Sequence, residues 1–312
     1  MRYQPKIKVI GIGGAGGNTI SRLKKLKAEG VELIALNTDA QDLKKTKAHL
    51  KIRIGKKLTQ GLGTGMDWQT GERAVMEQKE EIKEVLKDAD LVFITLGLGG
   101  GTGSGGAPVI AEICRELKIL TLVVATIPFS FEGELRKKIA QITIEKLRQK
   151  VDSLILIPND KLLESFDFKI SVSEAFWRAD EILREAILGI IDLVSGPGLI
   201  NVDFGNLKTI LKNSGKAYFG IGKGFGEKRI EKATNSALFS PLIEISPKKA
   251  KGVLFNVSGR EISLGEVEQI AQFLSEKVHP EAKIIFGAKE DLSLKKGEIK
   301  VILILTNFND SF

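Results

Sequence analysis

The sequence is poorest in the residues that build cross-links and metal sites. Of its 312 residues one is cysteine, Cys114, and two are histidine. A single thiol excludes an intrachain disulfide and points to a reducing compartment. So few thiol and imidazole groups cannot assemble a zinc-type ligand set, and no metal site built from protein side chains is expected. No apolar run approaches the ~20 residues that span a bilayer, and no apolar signal core follows the N-terminal segment. These absences predict a soluble, cytoplasmic protein. Internal repeats and low-complexity tracts are missing. So is any G-x-x-x-x-G-K-[ST] motif, which excludes a P-loop enzyme.

The net charge is +8. Residues 201–312 hold 17 basic and 13 acidic side chains and residues 1–200 hold 30 and 26, so each part carries +4. The excess reads as spread over a solvated Lys/Glu surface. A nucleic-acid binder concentrates its charge on one face or helix, so nucleic acid is not the expected partner.

What is present alternates strand and helix. Lys8–Ile10, Glu32–Leu36, Leu50–Ile54, Leu91–Leu96, Ile119–Thr126 and Ser153–Ile157 are short apolar runs. Helical spacing separates them: from Asn18 through Ile20 and Leu23, over Gly71–Asp88, over Pro108–Leu117 and over Glu132–Val151. Continuous apolar strands alternating with helices indicate a parallel sheet covered on both faces. A long helix is predicted over Ser173–Val194, stopped by Ser195-Gly196-Pro197-Gly198. Beyond Gly215 a smaller α/β unit follows, with strands at Ala217–Ile221, Gly252–Val257, Ile284–Phe286 and Ile299–Leu305. Its helices are Arg229–Leu238 and Glu266–Lys277. The expected fold is α/β, in three parts. Residues 1–172 form a Rossmann-like nucleotide domain, 173–214 a central helix with its following loop, and 215–312 a C-terminal α/β domain.

Two glycine-rich runs sit between a strand and a helix. Gly11–Gly17 and Gly97–Gly106 each let backbone N–H groups converge without an intervening Cβ, ahead of a helix N-terminus that favours anions. The first also fits G-x-G-x-x-G, the dinucleotide fingerprint. That fingerprint requires an acid ending the second strand, where Asn37 stands and Asp39 is the nearest carboxylate. Two such loops in one sheet form two backbone nests for one polyphosphate, with Pro108 expected in the first turn after the second loop.

Gly99–Gly105, GGGTGSG, resembles the signature of the tubulin/FtsZ GTPase superfamily. The wider GLGGGTGSGGAPVIAE is similar to the bacterial cell-division branch, FtsZ, rather than to eukaryotic tubulin. ALNTDAQDL (Ala35–Leu43), PFSFEGELR (Pro128–Arg136), IPNDKLL (Ile157–Leu163), AFWRADEIL (Ala175–Leu183), GLINVDF (Gly198–Phe204) and SPLIE (Ser240–Glu244) follow in the family's order. The similarity runs from Ile7 to about Phe308.

The resemblance implies a GTP/GDP site and head-to-tail assembly of the chain with itself into filaments. Its phosphate-binding residues would be Gly13, Gly14, Ala15, Gly16, Gly17, Asn18, Asn37, Gly99, Gly100, Gly101, Thr102, Gly103 and Ser104. Ribose and base would meet Glu132, Arg136, Asn159, Phe176 and Asp180. Phe176 would stack on the base. The Asp180 carboxylate would accept from guanine N1–H and N2–H₂, where adenine offers a lone pair. Mg²⁺ would accompany the triphosphate, with Thr102 a candidate for the γ-phosphate or a metal-bound water.

In the family, a loop of the next subunit completes hydrolysis. Its counterparts here are Asn201, Asp203 and Asn206, and the family has an acid where Asn206 stands. An amide is a poor proton acceptor, so slow turnover is expected. Other departures are Gly63–Trp68, less rich in glycine than the family's third loop, which puts γ-phosphate sensing there in doubt, and Val257–Arg260, also short of glycine. Division-site proteins are possible partners. The family's tail and anchor-recruiting terminal peptide are not expected, since the sequence stops at Phe312. Three readings follow: an assembling division GTPase, a related filament or scaffold with little turnover, and, remotely, an NAD(P)-dependent oxidoreductase.

Overall fold

The computed structural model describes residues 4–25, 30–163, 170–194, 198–200, 202–243 and 245–308. The chain divides into two compact units, Met1–Ile187 and Leu188–Phe312.

The first unit is built on β1 (Ile7–Ile12), β2 (Val31–Asn37), β3 (Leu50–Arg53), β4 (Leu91–Gly97), β5 (Leu120–Ile127) and β6 (Ser153–Pro158). They pair in parallel in the order β3-β2-β1-β4-β5-β6. The helices are α1 (Gly13–Lys25), α2 (Ala40–Lys45), α3 (Lys56–Thr59), α4 (Trp68–Glu77), α5 (Lys79–Leu86), α6 (Gly101–Glu116), α7 (Glu134–Arg148) and α8 (Asn159–Leu163). Helix α9 (Val172–Val194) runs past the end of the unit. The central strands are buried on both faces, which is why they read as unbroken apolar runs. One core joins them to α4, α5, α6 and α7 through residues such as Ile94, Val123, Val75, Ile110 and Leu147. The sequence order reverses between β1 and β4, so a crevice opens at their carboxyl ends.

Three sequence expectations change here. Helix α1 starts at Gly13, so the first glycine run is its opening turn rather than a loop before it. Helix α6 starts at Gly101, which places Pro108 inside the helix and not in its first turn. Proline has no N–H to give the carbonyl four residues back. The Thr143 hydroxyl of α7 lies 3.3 Å from that carbonyl, Ser104 O, but shares its one proton with Ile139 O at 2.9 Å, so it offsets the lost bond only in part. The segment Gly71–Asp88 is two helices broken at Gln78, whose Oε1 accepts from Gly55 N at 2.7 Å.

The second unit begins with the end of α9 and contains α10 (Phe204–Leu211), α11 (Arg229–Leu238) and α12 (Leu264–Lys277). Its strands are β7 (Gly215–Phe225), β8 (Ala250–Gly259), β9 (Lys283–Glu290) and β10 (Glu298–Phe308), in the order β7-β10-β8-β9. Strand β10 is antiparallel to β7 and β8, and β8 is parallel to β9. Phe255, Val257, Leu303, Ala237, Ile270 and Leu274 fill its core. The predicted stop at residues 195–197 lies outside the described residues.

Candidate functional site

A cleft of about 310 Å³ opens at the switch point of the first unit. Its floor is made by Ile12, Gly13, Gly14 and Ala15 after β1 and by Gly97, Leu98 and Gly100–Gly103 after β4. Its far wall is Glu132, Arg136 and Asn159, with Phe176, Ala179 and Asp180 from α9. The α1 and α6 N-termini thus meet in one cavity, each bringing unpaired backbone donors and the positive end of a helix dipole.

The glycines divide into two kinds. Gly13, Gly14, Gly100, Gly101 and Gly103 line the cleft, and Gly13 holds a φ of +69°. Others serve packing. A Cβ on Gly105 would stand 1.9 Å from the Trp68 carbonyl oxygen of α4, and one on Gly16 2.5 Å from the Thr95 carbonyl oxygen of β4. Gly101 does both: it lines the cleft, and a Cβ there would meet Thr64 Oγ1 at 2.2 Å.

Of the residues expected at the site, Gly16, Gly17, Asn18, Asn37, Gly99 and Ser104 do not line the cleft. Each has another place. Gly17 faces Thr46. Asn37 donates from Nδ2 to Asp42 at 2.7 Å and accepts from Asp39 N at 3.1 Å. Asp39 itself caps α2 by accepting from Gln41 N and Asp42 N. Ser104 Oγ accepts from Gly99 N at 2.9 Å, which pins the loop whose Gly99 sits at a φ of +87°. Asn18, exposed on α1, lies close enough to Asp180 to favour its ionised form.

Thr102 lies 2.7 Å from Thr38 Oγ1, which is fully buried, and 3.5 Å from Thr64 Oγ1. Three hydroxyls from separate segments therefore converge beside the α6 N-terminus. Glu132 is half-buried; one oxygen accepts from Phe129 N at 2.9 Å and the other pairs with Arg136 at 3.1 Å.

The α9 wall brings an aromatic ring and a carboxylate to the cleft, one turn apart. Phe176 is 39% exposed, so it is not a core residue despite the apolar helix face it belongs to. Its ring stands edge-on to Phe129 at 5.3 Å and to Phe131 at 6.3 Å. Asp180, one turn on, is buried, with Arg22 Nη2 at 3.6 Å from its Oδ2. Burial pushes the Asp180 carboxyl up to about 6, against the opposing pull of the Arg22 charge and of the nearby polar side chains of Asn18 and Arg22. Arg22 in turn lies over the Trp177 ring at 5.1 Å. Asn159 Oδ1 is buried and has no hydrogen-bond partner. An orphaned acceptor, a desolvated carboxylate and a half-exposed ring around one cavity fit a purine with N–H donors on its edge.

Ile12, Gly97 and Leu98 of the two glycine-rich runs also line the cleft, as do Thr126, Pro128 and Ala179, none of which was named individually from the sequence. Thr126 and Pro128 reach it because β5 lies beside β4. Strand adjacency, not any local motif, puts them there.

Asp203 and Asn206 belong to the second unit and do not line the cleft. Asp203 caps α10, its Oδ1 accepting from Gly205 N at 2.7 Å, and Asn206 is exposed in the first turn. Asn201 lies outside the described residues. Among the described residues no group of three or more His, Cys, Asp and Glu side chains is placed to hold a metal ion. No described helix is long and apolar enough to cross a membrane.

The model of the tubulin/FtsZ family GTPase domain matches residues 6–167, and that of the FtsZ family C-terminal domain matches residues 215–309. Cell division protein FtsZ 1 of Thermococcus kodakarensis is 45% identical over 311 residues, covering 100% of this chain and 83% of that protein. The same figures hold for FtsZ 1 of Pyrococcus furiosus. An FtsZ dimer structure from M. jannaschii superposes with a TM-score of 0.94 at 46% identity, over 97% of this chain and 88% of that one. CetZ2 from Haloferax volcanii, at 23% identity and a TM-score of 0.81 over 98% of this chain and 94% of its own, shares the fold. These relatives are archaeal, whereas the motifs alone had pointed to the bacterial protein. The oxidoreductase alternative falls with them. The chain belongs to the FtsZ family of tubulin-like GTPases, the GTP-binding cytoskeletal proteins of cell division.

Proposed function

We propose that the protein binds GTP in the cleft between Gly13 and Asp180 and assembles head-to-tail, each subunit completing the hydrolytic site of its neighbour. One observation carries this reading. The cleft is lined entirely by the first unit, while Asp203 and Asn206 are exposed on the second and take no part in it. A contact between unlike faces yields filaments where its rotation does not close into a ring. The dimer described for the M. jannaschii protein supports self-association.

Within the cleft, backbone N–H groups of Gly13–Ala15 and Gly100–Gly103 would hold the phosphates. Arg136 would offset their charge, and Glu132 would accept from ribose hydroxyls. Phe176 would stack on the base, and Asp180 with Asn159 would read its edge. Gly16, Gly17, Gly99 and Ser104 would shape these loops from behind, and Asn37 and Asn18 would position neighbours. Mg²⁺ would accompany the triphosphate and neutralise its charge; Thr102, which lines the cleft and whose hydroxyl meets those of Thr38 and Thr64, would offer an oxygen there.

Attack by water would be oriented by Asp203 with Asn201 and Asn206. Asn206 can orient a water but carries no charge. Losing one preorganised electrostatic group costs about 10²–10³ in rate. Turnover is therefore expected to be slow, and assembly to outlast it. The closest competing reading, a filament or scaffold with negligible turnover, differs only in how far Asn206 takes this effect. The same picture assigns 1–172 to nucleotide binding, 173–214 to the central helix and catalytic loop, and 215–312 to the C-terminal domain, in a cytoplasmic protein.

The test is steady-state phosphate release beside light scattering with GTP, GDP and a non-hydrolysable analogue. Asn206→Asp should raise turnover at least tenfold while GTP-dependent scattering persists in both proteins. A fast wild-type rate that the substitution leaves unchanged would refute the catalytic part, and absence of GTP-dependent scattering would refute assembly.

A further inference from the structure

Equal charges on the two parts of the sequence conceal a concentration within the first. Lys44–Lys57 reads KKTKAHLKIRIGKK, seven cations and no carboxylate, while the rest of the chain holds 40 basic and 39 acidic side chains. Nearly the whole excess lies in this segment.

The structure gathers it along one edge of the first unit. Strand β3 is the outermost strand, paired only with β2. Lys44 and Lys45 end α2, Lys51 and Arg53 share one face of β3, and Lys56 and Lys57 open α3. Hydrogen bonds tie the pieces together: Lys51 Nζ donates to Lys44 O at 2.9 Å and Arg53 to Lys56 O at 3.4 Å. Lys24 extends the strip from α1. Burial first, then the Lys24 charge, hold the neighbouring His49 imidazole below its ordinary range. Lys44, Lys45, Lys47, Lys51, Lys56 and Lys57 are all exposed. The nearest acids are already engaged: Asp39 caps α2, Asp42 binds Asn37, and Glu32 pairs with Lys8. Glu77 approaches from α4, accepting from Lys57 N–H at 3.3 Å, with its charge near those of Lys57 and Lys56.

Two ordinary explanations fall short. Lysine on an edge strand discourages pairing with other chains, but only Lys51 and Arg53 are on the strand itself. Cations at a helix C-terminus complement its dipole, which covers Lys44 and Lys45; Lys56 and Lys57 lie in the four-residue α3, a single turn with little summed dipole to complement.

We propose that this edge binds the phosphate backbone of a double-stranded nucleic acid without sequence preference. Lys51 and Arg53, two residues apart on a strand, are about 6.6 Å apart along it. That equals the rise of two phosphates of one strand along the axis of a duplex, about 3.4 Å each. A membrane surface fits less well. Interfacial anchors need apolar side chains among the basic ones. No large exposed apolar residue lies between Lys44 and Lys57, and the nearest, Leu58 and Leu62, lie beyond its end. The site is separate from the nucleotide cleft and does not depend on hydrolysis or assembly.

The experiment measures affinity of the GDP-bound protein for a random-sequence duplex across about 50–200 mM salt. With about six phosphate contacts, log K should fall against log salt with a slope of about −5. Replacing Lys45, Lys47 and Lys51 together by Glu should reduce that slope by about 3 and weaken binding at least tenfold. The triple Lys228→Glu, Lys248→Glu and Lys295→Glu, with the same change of net charge on exposed sites of the second unit, should lose far less. If the first triple fails to fold, as judged by circular dichroism, Lys45→Gln, Lys47→Gln and Lys51→Gln take its place. Equal losses in both triples, no duplex binding at the lowest salt, or stronger binding to phosphatidylserine vesicles than to duplex at equal anionic charge would each overturn the proposal.

Discussion

With Asp180 reading the base as proposed, lowering the pH from 7 to 5 should weaken guanine-nucleotide binding about tenfold, because that carboxylate has a high pKa. Asp180 is pushed up to about 6 by burial, with the Arg22 charge and the nearby polar side chains of Asn18 and Arg22 pulling the other way and Glu181 adding a small rise. A group titrating near 6 is about nine-tenths ionised at pH 7 and about one-tenth at pH 5. Only the ionised form accepts from both N1–H and N2–H₂. Calorimetric titration with GDP at several pH values would measure the loss, and proton release on binding should appear as the pH falls. Asp180→Asn should bind more weakly at pH 7 and show no such slope. Wild-type affinity that is flat from pH 7 to 5, or an identical slope in the variant, would refute the reasoning.

Stability without nucleotide should run the other way. The folded-state pKa lies above the ordinary 3.8, so the folded state holds the proton more tightly than the unfolded chain. The contribution is fully present below pH 3.8 and is lost as the pH rises through about 6, an effect on the order of 3 kcal/mol. Nucleotide-free Asp180→Asn should therefore be more stable than wild type at pH 7, and saturating GDP should reverse the order. Asp88, held at about 2 by bonds from Lys8 and Lys6, acts in the opposite sense and only as the pH falls below 3.8, so the two effects do not overlap.

Other positions give further expected outcomes. Gly105→Ala should destabilise the first unit by roughly 2–4 kcal/mol, because the new methyl would fall 1.9 Å from the Trp68 carbonyl oxygen; thermal unfolding would show it even with nucleotide affinity unchanged per folded molecule. Phe176→Ala should cost about 1–3 kcal/mol of nucleotide binding, a loss of roughly 5- to 150-fold, with little change in unfolding temperature because the ring is half-exposed. The Cys114 thiol, pushed up to about 12 by burial, should resist iodoacetamide in the folded protein and react on unfolding, which makes its alkylation a count of unfolded chains.

The sequence was most readable where a local rule decides the structure. Leu91–Leu96 reads as a buried parallel strand because it is apolar throughout, and it is. Arg229–Leu238 is a helix at the boundaries that periodicity gives. Reading was weaker where a distant contact supplies what a local rule forbids. Pro108 marks a helix start by its chemistry, yet sits eight positions into α6, where the carbonyl it abandons meets the Thr143 hydroxyl of α7. Charge counted over large parts likewise missed the basic edge, since pairing β3 with β2 is what lines its cations up with those of α2 and α3.

By itself the sequence determined the alternation of strands and helices, the two glycine-rich helix openings, and the spacing that puts Phe176 and Asp180 on one face. Each follows from geometry along a few consecutive residues. Tertiary structure decided which glycines face the cleft and which face a neighbouring backbone, because a missing Cβ serves either purpose and the sequence cannot tell them apart. It decided that Phe176 is half-exposed rather than core, and that Asp180 loses its water and gains Arg22. Solvation and charge at a side chain are properties of everything packed around it, and those neighbours come from α1, α9 and the loop after β5, which meet only when the chain has folded.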